Sequence, residues 1–374
     1  MTSAPPGVPL LSVRRVVAAV VALALGGFAL GTTEFVTIGV LPEIAEGVGV
    51  DIPTAGHVIS AYALGVVVGA PVIAALGARL PRRGLLVALM AAFLVGNLAS
   101  ALAAGHPSLL VARFVSGLPH GAYFGVASLV AASLVRPELR GRAVSSVMLG
   151  LAVANLAGVP AATWLGQELG WRAAYWAVVV LAAATVLAVL AFVPSTPGRD
   201  DVTVATELTA LRRPQVLLTL LVATVGFGGM FAVYSYVSPL STEVAGLPRG
   251  AVPWVLLGLV AVVAGWAPGL LATLFLLSGT ASVLVVTLQL RLMEVAGEAQ
   301  MLGAALNHSA LNAANALGAW LGGLVIAAGL GWTAPAVVGA GLAAVGLGAL
   351  TASAVLRRRE ERTGPVRTAP APAQ

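Results

Sequence analysis

The chain has no cysteine and no lysine, and only 9% of its 374 residues are charged. Without cysteine it can form neither a disulfide nor a thiolate metal site. Without lysine it cannot build the phosphate-binding loop of a nucleotide-driven pump, whose lysine reaches the nucleotide phosphates. The shortage of charge excludes more. Soluble domains are about 25% charged, so water-soluble enzymes, nucleic-acid binders and disordered chains are ruled out. A formal net charge of +6 does not revive a nucleic-acid partner, because the arginines sit between apolar runs and line no helix face. His57, His106, His120 and His308 are too scattered for metal-ligand spacing. Neither a metal nor a cofactor is expected.

What the chain has is apolar sequence, 59% of its residues being hydrophobic. A helix needs ~20 apolar residues to cross ~30 Å of hydrocarbon. It is the expected element, because backbone groups in lipid must be satisfied within their own segment. Spans on this criterion fall at 16–40, 54–76, 85–104, 108–135, 143–166, 173–194, 214–237, 268–290, 302–328 and 334–356. The first is too long for a cleavable signal peptide and holds no clean cleavage site. A piece at 252–265 is only 14 residues long and reads as re-entrant or interfacial. The expectation is an all-α polytopic membrane protein with ten full spans and one short segment.

With the N-terminus in the cytoplasm, 17 arginines lie on the inner side, Arg172 and Arg249 face outward, and Arg113 lies within a span. That asymmetry places both termini in the cytoplasm of a multi-pass cytoplasmic-membrane protein. The polar stretch Ser195 to Pro214 divides the chain. The expected organisation is a disordered tail at 1–13, a six-helix bundle at 14–194, a cytoplasmic linker at 195–213, a second bundle at 214–356 shortened near 253–266, and a cytoplasmic tail at 357–374.

The two halves echo each other. Gly27-Phe28, Pro42 and Ile52-Pro53 are answered by Gly226-Phe227, Pro239 and Val252-Pro253. Asn155-x-x-Gly158 with Trp164-Leu165-Gly166 is answered by Asn315-x-x-Gly318 with Trp320-Leu321-Gly322. Internal repeats of this kind mark secondary transporters, which hold substrate between the halves near mid-membrane. The two prolines Pro53 and Pro253 stand 200 residues apart and the two asparagines only 160, so the second half lacks 40 residues that the first contains.

Several motifs carry a family resemblance. Gly31-Thr32-Thr33-Glu34-Phe35 followed by Gly39-Val40-Leu41-Pro42-Glu43-Ile44-Ala45 resembles the first span of major facilitator drug:proton antiporters, nearest the arabinose/sugar-efflux and chloramphenicol-resistance exporters. Arg113-Phe-Val-Ser-Gly117-Leu-Pro-His120-Gly121 is similar to the family's fourth-span motif, Gly158-Val-Pro160 to a degenerate Gly-Pro motif of span 5, and Ala305-Leu-Asn307-His308-Ser309-Ala-Leu-Asn312 to span 11. The resemblance covers about 14–356 apart from the gap, and implies the major facilitator fold of two pseudo-repeat bundles, with twelve spans in full. Two departures stand out. Gly77-Ala-Arg-Leu-Pro81-Arg82-Arg83-Gly84 has Pro81 where the family's gating loop carries Asp, and most of spans 8 and 9 is missing.

Glu34 is the one acid inside an apolar span. A charge there costs ~2.5–3.5 kcal/mol on insertion scales and therefore needs a partner or a proton. Its readings are proton carrier, ligand for a substrate cation or, at the outer interface, a side chain snorkelling to water. Arg113 is the one base inside a span, expected to pair with Glu34 or to anchor at the interface. Arg113, Gly117, His120, Gly121, Phe124 and Ser128 recur at three and four and share a helix face, which should line a substrate cavity. His120 is read as a proton relay or an inter-helix hydrogen bond. Asn307, His308 and Asn312 face substrate or serve, like Asn315, as packing glue. Helix packing and gating are assigned to Arg82, Gly84, Asn155, Gly158, Pro160, Asn315 and Gly318, with Pro160 as a kink.

With no nucleotide motif, the proton gradient is the default energy source. The expectation is a monomeric, non-enzymatic exporter exchanging protons for a small drug- or sugar-like compound. The alternative is a transport-inactive deleted paralogue or a truncated gene model of such an exporter.

Overall fold

The computed structural model describes residues 12–77, 79–195, 209–236 and 283–363, with single positions at 240, 244 and 246. Helices run in order as α1 (Val13–Gly39), α2 (Leu41–Val48), α3 (Ile52–Gly77), α4 (Arg82–Ala101), α5 (His106–Gly117), α6 (His120–Ser133), α7 (Arg140–Val153), α8 (Val159–Leu169), α9 (Trp171–Phe192), α10 (Pro214–Tyr234), α11 (283–295), α12 (Gln300–Ala327) and α13 (Ala334–Thr363). The described residues contain no strand. Nine stretches among them are long and apolar enough to cross a membrane: α1, α3, α4, α5 with α6, α7 with α8, α9, α10, α12 and α13. Each matches an expected span to within six residues at either end. The short segment 252–265 and most of the expected span 268–290 lie outside the described residues, as does the tail 1–11.

Three local features add to expectation. The last expected span ends at 356, and the helix that carries it, α13, continues to Thr363. Arg357 to Arg362 are all Arg or Glu, strong helix formers that prolong the last turns. Pro160 does not simply kink a helix. Residues Ala154–Gly158 widen into a π-turn in which the Val159 amide reaches back to the Ala154 carbonyl. A proline cannot donate to the ladder, and the wider turn just before it absorbs that missing bond. Pro119 similarly divides α5 from α6, although the break is short enough for the two to cross as one span.

Packing within the first bundle, α1 to α9, depends on small residues, since lipid gives helices no hydrophobic reason to associate and close backbone approach must do it. A Cβ on Gly117 would collide with the Tyr62 carbonyl of α3, and one on Gly150 with the Ala24 carbonyl of α1. In the second bundle, a Cβ on Gly229 of α10 would lie 2.5 Å from the Gly339 carbonyl of α13. Val17, Leu64, Val111, Trp164, Val180 and Leu217 point outward, giving the apolar surface that a bilayer covers. The bundles meet where α12 packs on α3 and α6. Every residue from Met301 to Asn312 is buried there, and one core cluster joins Phe93, Phe124 and Val130 to Leu302 and Ala305 across the seam.

Candidate functional site

Glu34 and Arg113 are the two charges that the described spans bury, and each is compensated differently. Arg113 is fully buried on α5. Its Nη1 donates to Thr33 Oγ1 at 3.1 Å and its Nη2 to the Thr33 carbonyl at 3.2 Å. Thr33 Oγ1 donates in turn to Asn97 Oδ1 at 2.6 Å, and Asn97 is anchored on the Phe93 carbonyl. The guanidinium carbon lies 4.3 Å from the centre of the Tyr62 ring and 5.5 Å from that of Tyr175. A desolvated cation over an aromatic ring gains ~2 kcal/mol, and each inter-helix hydrogen bond adds ~0.6 kcal/mol. Together these offset a burial cost of ~3 kcal/mol, so Arg113 needs no counter-ion. The ion pair expected between Arg113 and Glu34 is accordingly not formed.

Glu34, the next residue after the arginine's anchor, turns instead toward the seam. Its Oε2 stands 4.0 Å from His120 Nε2, and Asn312 of α12 interacts with its carboxylate. Glu34 is only 8% exposed, so it does not snorkel to the surface. His120 Nδ1 shares a 2.7 Å hydrogen bond with Tyr62 Oη. His308, from α12, stacks on Phe124 with ring centroids 4.1 Å apart, and its ring lies 5.2 Å from that of His120. Glu34, His120, Phe124, His308 and Asn312 thus form one buried group contributed by both bundles.

Hydrogen-bonding capacity in this group is left unused. Arg113 Nε, His120 Nε2, His308 Nε2, Asn307 Oδ1 and Asn312 Oδ1 are buried and have no partner. Buried polar atoms are rarely left so, and a cluster of them at an interface between bundles is where a polar ligand or a proton would be received. Asn312 Nδ2 donates to the His308 carbonyl at 3.1 Å, and Asn307 Nδ2 reaches the Val285 carbonyl at 3.4 Å.

Other expected site residues take different places. Gly117 and Gly121 do not open onto a cavity: a Cβ on Gly117 would strike α3, and one on Gly121 would lie 2.5 Å from Ala70 Cβ and 3.0 Å from the Ala305 carbonyl. Both are crossing points. Gly158 packs against Thr32 and Phe28, and Gly318 against the Gly228 carbonyl, as packing residues should. Gly84 meets nothing within 4 Å, so it is not a close-packing residue. Asn155 is exposed on the π-turn while Asn315 is buried, so the repeated asparagines are not structural equivalents. Arg82 reaches across the bundles to Met301 Sδ at 3.0 Å.

Thr33, Asn97 and Tyr62 are not among the site residues expected from the sequence. The signal for the first two was present: a polar side chain beside Glu34, and an amide midway through the apolar α4. Tyr62 lacks such a signal, because its partners come from three other helices.

The model of the Major Facilitator Superfamily matches residues 23–267, more than half of the chain. The chain belongs to that superfamily. This facilitator is 40% identical over 362 aligned residues to the Inner membrane transport protein YdhP of Escherichia coli (strain K12), using 87% of this chain and 93% of that protein. Because 87% of 374 residues is fewer than 362, about 37 aligned positions of YdhP have no counterpart here, close to the 40 missing from the internal repeat. It is 37% identical over 229 residues to the Chloramphenicol resistance protein of Streptomyces lividans, covering 60% of this chain and 58% of that one. Among solved structures, the proton:xylose symporter XylE superposes with a TM-score of 0.63 at 15% identity, over 93% of this chain and 96% of that one, which establishes the shared fold. The protein is a multi-pass membrane transporter and not an enzyme.

Proposed function

We propose that this facilitator exports a small, poorly charged drug- or sugar-like compound across the cytoplasmic membrane in exchange for protons, with both termini in the cytoplasm. One observation carries the reading. The single carboxylate buried in a described span faces the seam between the bundles, beside His120 and Asn312, where its charge state bears on how the bundles fit. The relative named for chloramphenicol resistance supports the outward direction. Alternating access then follows from rocking one bundle against the other. Glu34 takes a proton in the outward-facing state and releases it inward, while Arg113, held by Thr33 and flanked by two aromatic rings, keeps α1 and α5 in register.

The test measures accumulation of labelled chloramphenicol, arabinose and a lipophilic dye in cells expressing the chain, with and without a protonophore. Lower accumulation that the protonophore restores is expected for at least one compound, and Glu34→Gln should abolish it while protein level in the membrane is unchanged. Undiminished efflux in that variant would sink the assignment of Glu34. The shortfall of about 37 positions against YdhP favours a second reading, a transport-inactive relative. No difference for any compound, with the protein present in the membrane, selects it.

A further inference from the structure

We propose that Tyr62 and His120 form a proton relay that loads Glu34, and that the His120 imidazole changes tautomer each time it does so. The inference rests on Glu34 as the proton carrier and adds the route by which its proton arrives.

The geometry supplies two contacts of different kinds on one ring. His120 Nδ1 is 2.7 Å from Tyr62 Oη, and either atom can be the donor. His120 Nε2 is buried, has no hydrogen-bond partner and stands 4.0 Å from Glu34 Oε2. In a neutral imidazole one nitrogen donates and the other accepts, and the partner of one fixes the state of the other. When Glu34 is ionised its oxygens can only accept, so the hydrogen sits on Nε2 and points toward the carboxylate, while Nδ1 accepts from the Tyr62 hydroxyl. When Glu34 is protonated its O–H points at a bare Nε2, and Nδ1–H donates to Tyr62 Oη.

The two arrangements differ by one proton, taken from water of the medium. It binds an oxygen lone pair of Tyr62 as the original hydroxyl hydrogen passes to His120 Nδ1. The Nε2–H bond then breaks, its electron pair stays on nitrogen, and the proton joins Glu34 Oε2. Tyr62 ends as a hydroxyl, His120 as a neutral ring, and Glu34 as a carboxylic acid. The 4.0 Å separation closes with ~1 Å of side-chain movement, and hydrogen bonds used in proton transfer are often long at rest.

The titratable and charged groups around the ring are Glu34 from α1, Tyr62 from α3, Arg113 from α5 and His308 from α12. Arg113 lies over the Tyr62 ring and is tied to Thr33, so it competes for neither nitrogen. His308 is held by its stack on Phe124.

The chain has four histidines, which makes the relay directly readable. The full-length protein, labelled with 15N-histidine and placed in lipid nanodiscs, is followed by ring-nitrogen chemical shifts between about pH 5.5 and 9, spanning the range in which free imidazole titrates. His120→Asn identifies the His120 signals. Wild-type His120 is expected to be the Nε2–H form at high pH and the Nδ1–H form at low pH, and in Glu34→Gln the tautomer should no longer respond to pH. In cells, Tyr62→Phe should slow protonophore-sensitive efflux at least about tenfold. A single His120 tautomer throughout, or the same titration in wild type and Glu34→Gln, overturns the relay even where efflux is proton-driven. A tautomer switch in a protein that exports none of the panel supports the relay and overturns the exporter reading instead.

Discussion

The rings of Phe124 and His308 lie face to face, 4.1 Å apart and within 6° of parallel, although Phe124 belongs to the first bundle and His308 to the second. The stack spans the seam beside Gly121 and Gly125, where α6 lies close against the α12 backbone. It therefore joins the polar group around Glu34 to the apolar core that holds the bundles together. Phe124→Ala should cost ~3–5 kcal/mol, as for other fully buried phenylalanines. Purified protein should melt at a lower temperature, and an unchanged melting point would show that the stack contributes nothing to the seam.

Arg113→Lys should be as damaging as a non-conservative change. A guanidinium reaches Thr33 Oγ1 and the Thr33 carbonyl together with its carbon 4.3 Å from the Tyr62 ring centre, whereas an ammonium is a compact point charge. Losing one bond to a charged group costs ~1.5–3 kcal/mol. Thermal stability and proton-driven efflux should both fall, and Thr33→Val should reproduce part of the loss. Full activity in Arg113→Lys would leave only the charge, and not the fork, as the requirement.

Two glycines give opposite expectations. Gly84→Ala adds a methyl group to open space in a helix, where alanine is favoured by ~1 kcal/mol, so yield and melting temperature should hold or rise. Gly117→Ala drives a methyl group into the Tyr62 carbonyl. Overpacking of this kind costs ~1–3 kcal/mol, and the melting temperature should fall. Equal behaviour of the two variants would contradict the α3–α5 crossing.

Outside the membrane spans, Asp51 caps α3 by accepting the Thr54 amide at 3.0 Å. Hydrogen bonds from the Thr54 side chain and amide hold its carboxyl below the usual aspartate value. A lowered value stabilises the cap at pH above the ordinary aspartate range, about 3.9, and the contribution is lost as pH falls through the lowered one. At pH 7, Asp51→Ala should speed amide exchange at Thr54. As pH falls through the lowered value the two proteins should converge, and a difference that remains once the carboxyl is protonated would rule out the carboxylate as the cap.

The spans were legible because ~20 apolar residues in a row have one physical outcome in a bilayer. Glu34 and Arg113 stood out for the same reason, as charges where charge is costly. Their partners did not. Sequence spacing puts Arg113 and Glu34 at similar depth, yet depth does not say which way a side chain turns. Thr33, one residue earlier on α1, takes the guanidinium and leaves the carboxylate to the seam. Gly117 and Gly121 share the arginine's helix face, as the periodicity indicates, but a shared face can be filled by a neighbouring backbone as readily as it can line a cavity. Tyr62 and Tyr175 sit over Arg113 only because the fold brings α3 and α9 to the same arginine of α5, information that no local pattern in either helix contains.

The helix α12 is unevenly held. Its 28 residues extend ~42 Å at 1.5 Å per residue. From Met301 to Asn312 it is enclosed, whereas beyond Asn315 one face turns outward while Gly318 and Gly322 stay buried against α10. A rod enclosed over one half and held on one side only over the other works as a lever. A 10° tilt about Asn312 carries Ala327 roughly 4 Å sideways, given the ~22 Å between them. Small adjustments of the imidazole and carboxamide side chains at the fulcrum are thereby magnified at the far face of the membrane, where α10, packed on Gly318 and Gly322, is carried along.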